Sequence, residues 1–221
     1  MTNTNSRRVV MKNYSMPIIA VISALIFVGI AVGISVGMKH IPEVEYVNSS
    51  NGKFRTDEKE FGDAEIKEVK VNMEYGRLEF EYGDKLEVIS RFSDEEMPSV
   101  TLENGVLNIT QLIPKKTFSV RINTKEDSFT SKVIVPKGTV LSNMDIILDD
   151  GDVKVTDVQG ENMIFTLKEG DINMNGATFT SFRADISNYG DVTINTPEEV
   201  DQNKITVNTN HGDVTVNGQK L

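Results

Sequence analysis

The chain has 221 residues, with 33 acidic side chains against 23 basic ones, two histidines, no cysteine and no tryptophan. A formal net charge of −10 argues against nucleic-acid binding, which depends on clustered lysine and arginine neutralising phosphates. Without cysteine there is neither a disulfide framework nor an acylated lipoprotein anchor, so a hydrophobic core or bound ions must hold the folded part together.

Residues 1–15 are polar and basic, too short to fold alone, and read as a cytoplasmic tail. Residues 16–38, MPIIAVISALIFVGIAVGISVGM, carry no charged side chain. They are long enough for the roughly 20 helical residues that cross bilayer hydrocarbon, and predict one transmembrane helix. Arg7, Arg8 and Lys12 precede it without an acid, whereas Lys39 and His40 beyond it are mixed with Glu43 and Glu45. The basic end therefore stays in the cytoplasm and the rest of the chain lies outside the plasma membrane. A cleaved signal peptide is the rival reading; the apolar run is too long for its core, and Gly33–Gly37 makes a poor small-x-small site. Beyond residue 38 stand 20 basic residues and all 33 acids, a formal exterior charge of −13. An acidic exterior is also an ordinary solubility device.

Residues 39–65, rich in Asn, Ser, Gly, Asp and Glu, read as a stalk or linker with one weak strand near Val44–Val47. From Ile66 onward polar and apolar residues alternate: Val69-Lys70-Val71, Leu78-Glu79-Phe80, Leu86-Glu87-Val88, Val106–Ile109, Phe118–Ile122 and Val133-Ile134-Val135. Period two predicts strands, and residues 66–221 are expected to form one all-β domain. The best helical candidate, Pro197–Asp201, is worth at most a single turn.

The last third repeats a phrase: Gly151-Asp152-Val153, Gly170-Asp171-Ile172, Gly190-Asp191-Val192 and Gly212-Asp213-Val214, with glycines 19, 20 and 22 residues apart. Each phrase follows a first arm, Met144–Leu148, Met163–Leu167, Phe182–Ile186 or Ile205–Thr209, and opens a second arm. This spacing predicts a parallel β-solenoid of roughly 20-residue coils. Ile146 and Leu148, Phe165 and Leu167, Phe182, Ala184 and Ile186, and Ile205 and Val207 then point inward from the first arms. Val153 and Val155, Ile172 and Met174, Val192 and Ile194, and Val214 and Val216 do so from the second. The rival architecture centres a tight hairpin on each glycine; Asp150-Gly151 suits a type I′ turn, but Glu169 and Tyr189 would be forced to positive φ.

Val133–Thr139, Met144-Asp145-Ile146 and the Gly-Asp repeats, preceded by Ile66–Val71, Gly76–Phe80 and Asn104–Ile109, resemble the bacterial adhesin-like family of β-strand repeat proteins, domain of unknown function 4097. The resemblance covers about residues 45–221 and implies a right-handed β-solenoid carried on a membrane anchor at the cell envelope. Arg77 stands where later repeats have aspartate, so the first corner departs from the pattern.

Stacked coils would bring Asp152, Asp171, Asp191 and Asp213 into a column about 4.8 Å apart. Cations could bridge them, or each carboxylate could accept backbone N–H groups at its corner, the usual reason for aspartate in turns. Ca²⁺ needs six to eight oxygen ligands, and the repeat is not the nonapeptide of calcium-binding β-rolls, so no metal is assigned. Asp149, Asp150 and Asp152 form the densest acidic corner, where any metal would be sought. Tyr75, Tyr189 and His211 each precede a corner glycine, either as an aromatic strip or as single surface rings. His40 and His211 lack partners at metal-ligand or triad spacing. Lys154, Asn173, Thr193 and Thr215, outward in the second arms, form no catalytic grouping, and without tryptophan the commonest sugar-stacking platform is missing. No catalytic residue or cofactor is expected, although β-helices can host glycan hydrolysis by paired carboxylates.

The sequence thus points to a non-enzymatic binding, adhesion or scaffolding module whose partner is a cell-wall, surface or membrane-protein component. The alternative is an envelope-stress regulator acting through a membrane partner, and a polysaccharide-acting enzyme is the least favoured. Lys204, Lys220 and the polar Asn217-Gly218-Gln219 tail argue for a blunted end to the stack.

Overall fold

Alternation of buried and exposed positions runs through nearly every strand of the computed structural model, which describes residues 54–111 and 129–221. The apolar span 16–38, the segment around Val44–Val47 and the alternation at 118–122 lie outside the described residues. Among the described residues, no helix is long and apolar enough to cross a membrane.

The strands are β1 (Phe54–Gly62), β2 (Glu68–Tyr75), β3 (Arg77–Gly83), β4 (Leu86–Ser93), β5 (Ser99–Glu103), β6 (Val106–Thr110), β7 (Thr130–Pro136) and β8 (Val140–Asp150). They continue with β9 (Val153–Thr156), β10 (Gln159–Glu169), β11 (Ile172–Asn175), β12 (Thr178–Tyr189), β13 (Val192–Asn195), β14 (Ile205–His211), β15 (Val214–Val216) and β16 (Gln219–Lys220). A 3-10 turn, Gln202–Lys204, is capped by the Asp201 side chain, just beyond the expected Pro197–Asp201 turn.

Two mixed, mostly parallel sheets result, one ordered β1-β4-β7-β3-β9-β11-β13-β15-β16 and the other β14-β12-β10-β8-β2-β6-β5. The long strands β8, β10, β12 and β14 lie side by side in parallel, and after each corner glycine the chain enters the other sheet as β9, β11, β13 or β15. Phe165 of β10 opposes Ile146 of β8 on one side and Ala184 of β12 on the other. Each Gly-Asp therefore joins two sheets, which overturns the hairpin reading: consecutive arms pair with the next coil and not with each other.

The core lies between the sheets. Leu148, Leu167 and Ile186 form one apolar column and Val153, Ile172 and Val192 another, all buried. Burying one such side chain contributes about 1.5–3 kcal/mol, which a single coil could not collect alone. Every inward position expected for the three earlier coils is buried. In the last coil Ile205, Val207 and Val214 are only half-buried, because nothing further in the described chain stacks on them.

The corner glycines answer to contact between coils. A Cβ on Gly151, Gly170, Gly190 or Gly212 would overlap the carbonyl oxygen of the corner glycine one coil earlier, the first of these being Gly76. Gly151 and Gly170 also hold φ of +143° and +125°.

Four antiparallel pairings break the solenoid pattern among the described residues: β1 with β4, β4 with β7, β5 with β6 and β15 with β16. β1 lies inside the segment expected as stalk. β1 carries Arg55, Asp57, Glu58, Lys59 and Glu60, so its composition reads as loop, and strand pairing with β4 decides its conformation.

Candidate binding face

The aspartate column exists, and its geometry is a ladder of backbone contacts. Asp152 Oδ1 accepts the Asp171 N–H at 3.1 Å, Asp171 Oδ1 the Asp191 N–H at 2.8 Å, and Asp191 Oδ1 the Asp213 N–H at 2.7 Å. Cations close both ends: Arg77 Nη2 lies 3.6 Å from Asp152 Oδ2, and Lys220 Nζ 2.6 Å from Asp213 Oδ1. Arg77, the departure from the repeat, is thus the counter-charge for the first rung. Backbone N–H groups, each a hydrogen-bond donor, spread the negative charge of the column along the corner.

The acidic corner does not converge. Asp149 lies on the outer face of the second sheet, Asp152 is held by Arg77 and the Asp171 N–H, and Asp150 is exposed in register with Glu169 and Tyr75. Among the described residues, no three acidic, histidine or cysteine side chains are grouped to hold a metal ion. The aromatic strip also shortens. Tyr75 is buried against Phe92 and Phe129, with ring centroids 6.2 and 5.0 Å away, whereas Tyr189 and His211 stack in the open at 4.7 Å.

Among the described residues, an open, shallow concavity lies on the outer face of β8, β10, β12 and β14. Its volume is about 820 Å³, open to solvent, and Ile147, Asp149, Thr166, Lys168, Asp185, Ser187, Asn208 and Asn210 line it. Parallel registry shifts between Leu167 and Glu169 and between Ile186 and Tyr189, one residue longer on β12. Both pairings of β12 thus meet the same one-residue bulge, a feature that bends a strand and re-aims side chains, and Ser187 within it lines the hollow.

Within it, Asp185 takes a hydrogen bond from Arg183 Nε at 2.7 Å and another from Asn208 Nδ2 at 2.7 Å. The Arg183 hydrogen bond first, then that of Asn208, holds the Asp185 carboxyl below its ordinary range. Lys168 and Asp149, on neighbouring strands, have no ion-pair partner among the described residues. Ile147 and Ile164 stand on the same outer face, 42 % and 39 % exposed. Of these residues only Asp149 was singled out in the sequence, as part of an acidic corner; the hollow, Lys168, Asp185, Ile147 and Ile164 were not. The available signal was the triplets Ile146-Ile147-Leu148 and Met163-Ile164-Phe165, where a period-two strand should place a polar residue in the middle.

Of the outward second-arm residues, Lys154, Asn173, Thr193 and Thr215 align in one row across β9, β11, β13 and β15, preceded by Glu79 of β3. That row is polar and carries no nucleophile–base pair. His211 Nδ1 lies 3.4 Å from the Asn188 carbonyl oxygen, a surface contact between coils.

The family model Toastrack DUF4097 matches residues 40–220. Among solved structures, a candidate cell adhesion protein from Clostridium sporogenes is 12 % identical, with 74 % of this chain and 95 % of that one covered and a TM-score of 0.46. A candidate adhesin from Bacteroides fragilis is also 12 % identical, with 74 % and 93 % covered and a TM-score of 0.36. No curated protein matches the chain.

Proposed function

Because the chain belongs to the Toastrack DUF4097 family, whose members share this β-strand repeat domain, we propose that it acts as a non-enzymatic binding or adhesion module of the bacterial envelope. Residues 16–38 are the membrane anchor in this reading, with residues 1–15 in the cytoplasm and the β domain displayed outside. The coils take the right-handed sense of nearly all crossovers between parallel strands.

One observation carries the binding role. The outer face of β8, β10, β12 and β14 presents a hollow in which Lys168 and Asp149 are both unpaired among the described residues, beside exposed Ile147. A solvated pair on a rigid sheet costs little to desolvate only when a ligand supplies the opposing charges, which favours recognition of a polar or zwitterionic wall component or protein loop. The lowered pKa of Asp185 supports the same reading, since a carboxylate held ionised is a fixed acceptor and a poor general acid.

The test is retention of residues 39–221 on fractionated bacterial envelope, against a charge-matched control protein and a Lys168→Ala/Ile147→Ser variant. Saturable retention of the wild type, weakened about tenfold or more in the variant, supports the face. Equal retention of both moves binding to another surface, and retention no greater than that of the control removes the binding role. Protease added to intact cells checks the orientation: the β domain should be cut without opening the cells.

A further inference from the structure

Two sheets have four edges, and three of them are protected against pairing with another chain. β1 carries five charged residues among nine. β5 is approached by Lys59, whose ammonium donates to the Val100 carbonyl at 2.9 Å. β16 is two residues long and ends at Lys220, which pairs with Asp213. Charge, lysine and shortness are the usual devices for blunting an edge.

The fourth edge, β14, has none of them. Its residues Ile205–Asn210, sequence ITVNTN, contain no charge and no proline and favour extended backbone. Asn208 and Asn210 turn back onto the preceding coil, to Asp185 and the Ser187 carbonyl, and leave the free side of the strand open among the described residues. Lys204, expected to help blunt this end, stands in the 3-10 turn just before the strand. Behind the edge lie Ile205 and Val207, half-buried where the equivalent Phe182 and Ala184 of the coil before are 1 % and 0 % exposed.

We propose that β14 is the interface of a homodimer, in which two copies pair their β14 strands antiparallel across a two-fold axis. The occupant is a second copy for three reasons. An antiparallel pairing keeps Ile205, Val207 and Thr209 of both copies on one face and Thr206, Asn208 and Asn210 on the other, as an isologous contact requires. The uncharged strand is where two exteriors of −13 can approach without placing like charges opposite each other. The antiparallel sense also sets the Lys204 end of each strand against the His211 end of the other, so that no two like charges meet at either end. Backbone hydrogen bonds supply the affinity, as in other strand-addition complexes.

The chain has no cysteine, so the full-length protein can be scanned with single cysteines at positions 205 to 210 and at Thr193 on the other sheet as control. Mild oxidation should give a disulfide-linked homodimer at the position on the axis, well above the Thr193→Cys control. In parallel, light scattering of the purified full chain should give twice the 24.6 kDa chain mass, falling to one chain in the Thr206→Lys/Asn208→Lys variant. Both positions lie on the outer, exposed face; because Asn208 also donates to Asp185, circular dichroism of the variant checks that the fold is kept. A wild type of one-chain mass, a lysine variant that stays dimeric, or a cysteine scan that yields no homodimer or captures only a different protein overturns the proposal.

Discussion

Asp152 and Asp171 occupy the same corner of successive coils, and they are joined through the backbone: the N–H of Asp171 donates to Asp152 Oδ1 at 3.1 Å. The next two rungs repeat the contact at 2.8 and 2.7 Å. The role of the aspartate is therefore to receive the amide of the following coil, which asparagine can do and alanine cannot. Asp171→Ala should cost about 1 kcal/mol in urea unfolding of residues 39–221, the net worth of one hydrogen bond, and Asp171→Asn under about 0.5 kcal/mol. Calcium should leave the melting temperature of the wild type unchanged. A calcium-dependent rise lost in Asp171→Asn would falsify the ladder and restore a cation column.

The glycine beside each rung is constrained by a different force. A Cβ on Gly170 would overlap the Gly151 carbonyl, with φ already at +125°. Gly138, at φ +83°, has nothing near its missing Cβ. Gly138→Ala should cost only the left-handed penalty, about 1–2 kcal/mol. Gly170→Ala adds a backbone collision and should lose roughly 3 kcal/mol or more, because two coils must separate to admit one methyl group. Equal losses at the two positions would mean that turn conformation, and not coil spacing, selects the glycines.

Much of the stack was legible in the residues. Period-two alternation marked the arms, and the 19- to 22-residue spacing of Gly-Asp placed the corners, because every coil meets the same neighbour in the same way. The opening coil was harder to read. Gly76 lies against Gly151, 75 positions later, and β7 inserts between β3 and β4, so long-range pairing replaces local repetition. β1 was missed because its five charged residues deny it an apolar period, and Tyr75 was placed on the surface because a corner position does not say which way a ring turns. The hollow over β8 to β14 sits beside a β12 bulge, which leaves little trace in composition.

Stability should fall along the stack. Phe165 is fully buried and packs edge-on against Phe182 at 5.4 Å, whereas Val207 in the last coil is half-buried. Phe165→Ala should cost about 3–5 kcal/mol and Val207→Ala about 1 kcal/mol or less. Hydrogen exchange should show β14 and β15 opening before β10 and β11, since end coils have one neighbour where inner ones have two. Two copies joined at β14 would slow its exchange with rising protein concentration, which separates fraying from pairing.

Asp185 links this end of the molecule to pH. Its folded pKa is lowered by the Arg183 hydrogen bond and then by Asn208, so its contribution to stability is present above the ordinary carboxyl value of 3.8. That contribution fades as pH falls below 3.8 toward the folded value, where the carboxyl takes up its proton and the Arg183 contact loses its charge. Because the group is mostly solvated, the effect is small and best read as a difference. The melting temperature of wild type minus Asp185→Asn should be positive and level from pH 7 to pH 5, then shrink as pH falls below 3.8, the direction set by the downward shift. Arg183→Gln should remove most of that pH dependence while leaving Asn208 to hold the carboxylate. A difference that grows on acidification would mean that burial dominates at Asp185 and that the hollow is drier than its exposed walls suggest.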